Sequence, residues 1–392
     1  MKKLFTLAAA GVLTATSLDA QAQAPITVNG QLAATEVSAN GYQLVGRYTG
    51  NRGFGDAGLL ALYAASDATN LYFFLAGTLE NNASDVKNSI QLFIDRPGAT
   101  DGVSVGTRLP APAAVTAPAV GTSFAGMTAA LDLAADLGIG IKGTGAGNQV
   151  QVDGIAYTSA TAATAAVLTG STPLNTTGTP GTIVATGALA PFAGAMVAYN
   201  SSANLSANPG FASNGNAPSN GLEIMVSRVA MGIPAAGGVV RIFAVQNNQD
   251  GSFLSTDFIP QRNPVPATSE NVGSAATANF TTIPGTQAGT LTVGSATLTV
   301  LSNRSEVASK LGFSVYPNPS RGAAKVEYNV LSGKQSVSLD VYNGIGQLVR
   351  TLSSEQQSAG RHSYALDNLS AGAYYVKLQV GSQATSQKVI VE

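Results

Sequence analysis

The sequence predicts an all-β protein made of two successive β-sandwiches, a large, elaborated one and a small one. Three observations predict this class. Apolar residues recur with a period of two in many short runs, the pattern of strands that bury one face. Clusters of Gly, Asn, Asp and Ser separate these runs. Charged residues make up only 10% of the 392 residues, against roughly a quarter in a typical soluble chain.

The N-terminus has the features of an export signal. Lys2 and Lys3 are basic, and residues 4–18 are apolar and uncharged. Residues 20–22 and 22–24 both read Ala-Gln-Ala, which fits the small-x-small pattern of a cleavage site. We predict a Sec-type signal peptide at residues 1–22, cut after Ala22, because a cut after residue 24 would leave Pro25 first. A membrane anchor is the alternative, but the apolar stretch is shorter than the roughly 20 residues of a span.

The composition excludes several kinds of site. The chain has no Cys and a single His, His362, which lies near the C-terminus. Disulfides, thiolate metal sites, cysteine nucleophiles and a cysteine-linked lipid anchor are therefore not expected. Without a His in the first 300 residues, the large domain has no Ser-His-Asp triad and no zinc bound by imidazole. No basic stripe with interleaved aromatic residues is present, so we expect no nucleic-acid partner.

Residues 25–300 are predicted to form the large β-sandwich. Its apolar runs end at links rich in turn residues, such as 66–70 and 248–251, which suit tight reversals of the chain. The predicted strands are 42–48, 59–65, 71–79, 90–95, 222–226, 239–246, 290–293 and 296–300.

Between residues 103 and 220 the chain is rich in Ala, Gly, Thr, Pro and Asn and shows little periodicity. We predict a long insertion whose loops lie on the surface of the sandwich. Three pieces within it are predicted to be structured: an apolar segment at 131–141, a strand at 150–157 and a short Ala-rich helix at 160–168.

The order of motifs in the large domain resembles the DOMON-like superfamily, which includes the family 9 carbohydrate-binding modules. The resemblance rests on Leu92-Phe93-Ile94-Asp95 and on the closing runs 221–224 and 240–245. It implies a β-sandwich with a groove for sugar or haem. The chain departs from the pattern because it has no Trp for stacking sugars and no His in this domain. Five other aromatic residues are candidate replacements for Trp, although their strand positions favour core packing: Tyr42, Tyr48, Tyr63, Tyr72 and Phe74.

Calcium is the one metal for which the large domain offers candidate ligands, since Ca²⁺ prefers oxygens from Asp, Asn and backbone carbonyls. Asp95 and Asp101 flank one loop, and Asn248 and Asp250 lie in another. Neither loop has the spacing of an EF-hand. The alternative is that these side chains form Asx turns without a metal. Apart from calcium, we expect no cofactor.

From residue 312 onward, short alternating runs predict about seven strands in a second, immunoglobulin-like sandwich. Val337, Leu339 and Val341 alternate with polar residues, and Val376, Leu378 and Val380 do the same. Residues 301–311 are predicted to be an exposed linker between the two domains.

Several motifs of this second domain resemble the type A sorting domain of type IX secretion cargo in Bacteroidetes. The opening motif is Tyr316-Pro317-Asn318-Pro319, and the middle and final motifs include Gly346, Gly372 and Lys388. The resemblance implies export through the periplasm to the outer cell surface or the medium. It also implies two partners: the outer-membrane translocon, and a surface sortase that removes the domain and links cargo to anionic lipopolysaccharide. A generic immunoglobulin-like stalk module is the alternative.

Three functions remain open from the sequence. The first is non-catalytic binding at the cell surface, with a glycan as the ligand and a polysaccharide as the partner that carries it. The second is a structural surface or matrix protein without a small ligand. The third is a glycan hydrolase that uses paired carboxylates, which needs only two acids at the right separation. No motif selects such a pair, so we predict that the protein is not an enzyme and nominate no catalytic residue.

Overall fold

The computed structural model describes residues 25–82, 85–113, 121–144, 147–235, 237–301, 311–344, 346–381 and 383–392. The predicted signal peptide, with its cleavage site at Ala22, lies outside the described residues, as does most of the predicted linker. Residues 25–301 are called the large domain and residues 311–392 the small domain. Within the described parts of the chain, no helix is long and apolar enough to cross a membrane.

In the described residues of the large domain, the regular secondary structure consists of strands and four short 3₁₀ helices. The helices are η1 (Ala34–Glu36), η2 (Gly187–Phe192), η3 (Phe211–Ser213) and η4 (Phe280–Thr282). The strands are β1 (Gln31–Leu32), β2 (Gln43–Arg47), β3 (Gly58–Ser66), β4 (Asn70–Thr78), β5 (Glu80–Asn82), β6 (Asp85–Lys87), β7 (Ser89–Asp95), β8 (Leu137–Gly143), β9 (Gln149–Ser159), β10 (Ala162–Val167), β11 (Leu174–Asn175), β12 (Gly181–Thr182), β13 (Met196–Tyr199), β14 (Ser219–Ser227), β15 (Gly238–Asn247), β16 (Phe253–Ile259), β17 (Gly273–Ser274), β18 (Gly289–Val293) and β19 (Leu298–Leu301).

Two antiparallel sheets face each other. The first has the order β12-β13-β14-β4-β3-β2, with β1 paired to β14. The second has the order β10-β9-β8-β7-β15-β16-β17, with β11 on β9 and the hairpin of β18 and β19 on β15. One apolar core joins their inner faces and includes Leu62, Phe73, Ile94, Ile139 and Ile242. The predicted all-β sandwich class is confirmed.

Both sheets are also covered on their outer faces, which explains why strands such as β3 are buried along their whole length. A bulge between Leu59 and Ala61 shifts the alternation in β3. Leu59 and Leu62 therefore point into the central core, while Leu60, Ala61 and Tyr63 join an outer cluster. The other outer face carries a second cluster centred on Phe93, Phe243 and Phe280.

The region 103–220 differs from the predicted surface insertion. It supplies β8 and β9, which continue the second sheet beyond β7, and β13, which belongs to the first sheet. Small residues make this possible: a Cβ on Gly140 would stand 2.6 Å from the Ile90 carbonyl oxygen. The weak periodicity of the segment thus reflects close strand packing on both faces.

The predicted Ala-rich helix at 160–168 is a strand instead. β10 pairs antiparallel with β9, from Ala163 opposite Tyr157 to Val167 opposite Asp153. Alanine favours helices in isolation, but a neighbouring strand with free backbone groups overrides that preference.

The small domain contains five strands: β20 (Ser314–Tyr316), β21 (Ala323–Asn343), β22 (Leu348–Asp367), β23 (Gly372–Val380) and β24 (Gln383–Val391). The sequence predicted about seven shorter ones. A register shift between Val330 and Lys334 interrupts the pairing of β21 with β22, so each of these long strands replaces two predicted ones. The predicted alternation is confirmed, because Val337, Leu339 and Val376 are buried in one core.

Candidate functional site

A cleft of about 390 Å³ lies at one end of the large sandwich, where connections between strands converge. It is lined by Phe54, Gly55, Asp56, Glu80, Asn88, Ala203 and Asn204. These residues come from the β2–β3 connection, from β5, from the step into β7 and from the loop after β13. Loops at the end of a sandwich are free to vary while the sheets hold them in place. We call this site the end cleft.

The loop after β13 is fixed to the wall of the end cleft by short-range turn chemistry. Asn204 Oδ1 accepts hydrogen bonds from Ser206 Oγ at 3.0 Å and from Ala207 N at 2.9 Å, so this side chain closes a local turn of the backbone. Asp56 accepts from Ser206 N at 3.1 Å and from Ser206 Oγ at 2.9 Å. Leu205 between them is fully buried and anchors the loop, so the polar side chains are held in defined positions.

The opposite wall carries a second acid–amide pair. Asn88 Nδ2 donates to Glu80 Oε2 at 3.2 Å. Asn88 has a φ of 69°, a left-handed conformation that Asn adopts more readily than most residues. The end cleft therefore contains two carboxylates and two amides, a set of groups suited to hydrogen bonding with hydroxyls.

An aromatic ring completes the end cleft. Phe54 is only partly buried, and its ring stacks against Phe253 with centroids 6.2 Å apart and planes 25° apart. Phe253 is 41% exposed. Aromatic side chains that a core does not bury offer a flat apolar face to a ligand.

The predicted calcium residues Asn248 and Asp250 shape the turn that leads to Phe253. Asn248 Oδ1 accepts from Phe253 N at 3.0 Å. Asp250 Oδ1 accepts from Ser252 N at 3.0 Å and from Ser252 Oγ at 2.6 Å. The contact of Asp250 with Ser252 N is that of the Asx-turn alternative, and the contact of Asn248 with Phe253 N closes a wider turn. The Phe253 ring at the end of this turn lies beside Phe54.

The other calcium candidates lie at the far end of β7. Asp95 pairs with Arg241 at 3.1 Å, and Asp101 pairs with Arg96 at 3.2 Å. The seven residues of β7 separate them from the Asn248 turn by about 20 Å, so the two pairs do not form one site. Among the described residues, no group of three or more His or acidic side chains is arranged to hold a metal. Calcium binding stays a prediction.

The five aromatic residues nominated from the sequence do not form a ligand platform. Tyr42, Tyr48, Tyr63 and Phe74 are at most 2% exposed, and Tyr72 is partly buried. The favoured alternative of core packing fits these positions. Phe54 was missed because it belongs to no apolar run. The sequence feature that could have indicated Phe54 is its position, because it is an aromatic residue between Gly53 and Gly55 in a polar loop.

The residues of the opening motif in the small domain tie its beginning to its end. Asn318 Nδ2 donates to the Lys388 carbonyl at 2.8 Å, and Asn318 Oδ1 accepts from Ile390 N at 3.0 Å. Ser320 N donates to Ile390 O at 2.8 Å, and Glu392 N donates to Ser320 O at 2.8 Å. The motif following β20 is therefore docked on β24. Pro317 and Pro319 flank Asn318 and lack amide donors of their own.

The remaining motif residues occupy turns and the solvent face. Gly346 has a φ of 81° and donates to Asn343 O at 3.0 Å in the β21–β22 turn, a conformation that favours glycine. Gly372 begins β23. Tyr316 is 44% exposed. Lys388 lies on β24, opposite Tyr375 of β23.

Replacing Asn318 with alanine is expected to release the end of β24. Two hydrogen bonds are lost, which corresponds to about 1–2 kcal/mol of stability in the small domain. Hydrogen exchange of the Ile390 amide measures the effect directly. Gln379→Ala, which removes an exposed amide that donates to Gly381 O at 3.3 Å, is the matched control. Unchanged protection of Ile390 in Asn318→Ala would contradict this role.

Comparison with known proteins identifies the small domain. Residues 314–392 match the family model of the secretion system C-terminal sorting domain. The predicted sorting domain is thereby confirmed. This domain indicates secretion by the type IX system, to the medium or to the cell surface. A search of curated proteins found no match to the chain.

Among solved structures, the chain is similar to the crystal structure of dimeric latent PorU from Porphyromonas gingivalis. The sequence identity is 12% and the TM-score is 0.19. The match covers 82% of this chain and 31% of that one. At this TM-score the likeness carries no argument about fold or function.

Proposed function

We propose that this type IX cargo is a non-catalytic glycan-binding protein of the cell surface and that the end cleft is its binding site. One observation carries the proposal: the partly exposed Phe54 ring shares a 390 Å³ cleft with Asp56, Glu80, Asn88 and Asn204. A sugar ring presents apolar C–H faces and a rim of hydroxyls. An aromatic face supports the first, and carboxylate and amide side chains bond to the second.

The size and position of the end cleft support the same proposal. Ligand sites typically measure roughly 300–1,000 Å³, and loops on a rigid sandwich commonly carry binding residues. The resemblance to DOMON-like and family 9 carbohydrate-binding modules adds to it. In this structure β7, which ends at Asp95, pairs along its length with β15.

The test is retention of the purified secreted protein on insoluble cellulose, xylan, chitin and mannan. We expect retention on at least one polysaccharide and competition by its soluble oligosaccharide. Phe54→Ala is expected to weaken binding at least tenfold, about 1.4 kcal/mol, because the stacking face is lost. Phe211→Ala is the matched control, since Phe211 is 40% exposed but does not line the end cleft.

The outcomes separate the three functions. Equal weakening by both Phe variants, or no retention on any polysaccharide, would contradict glycan binding in the end cleft. Self-assembly without a ligand would instead favour a structural surface protein. Repeating the assay with calcium and then with chelator tests the calcium prediction.

A glycan hydrolase is the second candidate, because Asp56 and Glu80 both line the end cleft. Release of reducing sugar from the retained polysaccharide, abolished by Asp56→Asn or Glu80→Gln, would replace the non-catalytic proposal. The expected result is binding without turnover.

A further inference from the structure

A second concave site lies on the outer face of the small domain. It encloses about 480 Å³ and is lined by Tyr342, Asn343, Gly344, Gly346, Tyr375, Lys377, Ala384, Thr385 and Ser386. These residues belong to the last part of β21, to the middle of β23, to the first part of β24 and to the turn after β21. We call this site the tyrosine groove.

The strand register sets the chemistry of the tyrosine groove. Tyr342 lies opposite Tyr375, and Tyr375 lies opposite Lys388. Two residues further along each strand, Asp340 lies opposite Lys377, and Lys377 lies opposite Ser386. Because alternate residues of a strand share a face, both rows stand on the same side of the sheet. The side chains of Val341, Val376 and Val389 point the other way and are buried in the core.

The two tyrosines are not needed by that core. Tyr375 is 43% exposed, and elsewhere on the same face the strands carry Ser336, Ser338 and Gln379. A cross-strand aromatic pair stabilises a sheet by only about 0.2–1 kcal/mol. A pair of rings beside a concave site is a recognised ligand arrangement, because each ring offers a flat face to a sugar or a base.

The two rows of side chains carry two lysines and one carboxylate, so their net charge is positive. The carboxylate is that of Asp340, which accepts hydrogen bonds from Ser338 Oγ and from Thr351 Oγ1, each at 2.6 Å. The ion pairs of the described residues in the small domain involve neither Lys377 nor Lys388. Lys377 lines the groove, and Lys388 neighbours it on β24, opposite Tyr375. An ammonium group pairs most strongly with carboxylate or phosphate.

We propose that the tyrosine groove binds an anionic saccharide, with its rings on Tyr342 and Tyr375 and its carboxylate or phosphate groups on Lys377 and Lys388. The volume is that of a small-ligand site, and two aromatic side chains on neighbouring strands suit a sugar better than an extended acidic peptide, whose main chain binds at a strand edge. The site is separate from the end cleft and does not depend on the glycan proposed there.

The test measures binding of fluorescent hexagalacturonate, of a phosphorylated mannan oligosaccharide and of neutral galactohexaose to the purified chain with its small domain still attached. We expect saturable binding of at least one anionic probe and none of the neutral one. The two anionic probes distinguish a carboxylate from a phosphate ligand. Lys377→Gln and Tyr375→Ser are each expected to weaken binding at least tenfold.

The controls isolate the groove from general charge. Lys334→Gln removes an exposed lysine of β21 that does not line the groove, and this variant is expected to bind as the unaltered chain does. Circular dichroism confirms that each variant is folded. Equal weakening by Lys334→Gln and Lys377→Gln, equally tight binding of poly-glutamate, or no binding of either anionic probe would overturn the proposal.

Discussion

Replacing Arg228 with methionine is expected to lower the free energy of unfolding of the large domain by about 3–5 kcal/mol. Arg228 is 1% exposed and donates to backbone carbonyls only. Nη1 bonds to the oxygens of Asp67 and Ser295 at 2.8 Å each. Nη2 bonds to Pro234 O at 3.0 Å and to Gly294 O at 2.8 Å.

These carbonyls belong to three separate connections, which the guanidinium holds together. They are the β3–β4 turn, the segment before β15 and the β18–β19 turn. A methionine of similar length fills the space but leaves the carbonyls without donors, and buried unpaired polar groups are costly. Because both sheets contribute to this junction, the loss affects the whole sandwich.

Calorimetry and urea denaturation followed by circular dichroism measure this effect. Arg241→Met is the matched control. The Arg241 side chain is 49% exposed and pairs with Asp95 at 3.1 Å, so its loss is expected to cost at most about 1 kcal/mol. Arg228→Lys, with three donors on a compact head, is expected to fall between the two. A fall of less than about 1 kcal/mol in the free energy of unfolding for Arg228→Met would exclude the proposed role of Arg228 in holding the three connections together.

The large domain is expected to be more stable at pH 5 than at pH 8. Four buried carboxyl groups of this domain have raised pKa values: Asp136, Asp153, Glu223 and Asp257. Burial raises the pKa of Asp136, Asp153 and Asp257 to about 6 and the pKa of Glu223 to about 7. Hydrogen bonds to the carboxylates, such as that from Ser123 N to Asp153 at 2.7 Å, lower these pKa values but do not cancel the effect of burial.

The sign follows from proton counting. In the unfolded chain these groups titrate near pH 4, below their folded pKa values. Between about pH 4 and pH 7 the folded state therefore binds more protons than the unfolded state, and the free energy of unfolding falls as pH rises through that window. The stability is present at the acid end and is lost as the buried carboxyls ionise.

Thermal unfolding across this window tests the prediction. We expect the midpoint to fall by about 5 °C or more from pH 5 to pH 8. Glu223→Gln is expected to flatten the slope, because it removes the group with the highest of these pKa values. Asp67→Asn is the control: hydrogen bonds from Tyr72 and Thr69 outweigh burial and lower the pKa of Asp67, so its window lies below pH 4. A midpoint that is equal or higher at pH 8 would refute the assignment.

The elements that the sequence predicted well are those encoded by neighbouring residues. The period-two run of Val337, Leu339 and Val341 needs only local alternation to indicate a strand with one buried face. The motif from Tyr316 to Pro319 is likewise a local pattern, and it identified the sorting domain that the family model matches at residues 314–392. Strand lengths were less accurate, because a register shift inside a paired strand leaves little trace in composition.

The region 103–220 was misjudged for a physical reason. Gly138 and Gly140 on β8 are residues typical of loops. In the structure they lie in a strand, where a neighbouring residue leaves no room for a Cβ at either position. A strand covered on both faces has no alternation to detect. The Ala-rich β10 depends in the same way on β9, which no composition of residues 160–168 can reveal.

By itself the sequence determined the all-β class and the sorting motif that indicates export, since each depends on contiguous residues. Only the tertiary structure brought Phe54, Glu80, Asn88 and Asn204 into one cleft and set the cross-strand rows of the tyrosine groove. Chain reversals and strand register decide which distant side chains meet. These depend on the free energy of packing whole sheets together, which no local pattern encodes.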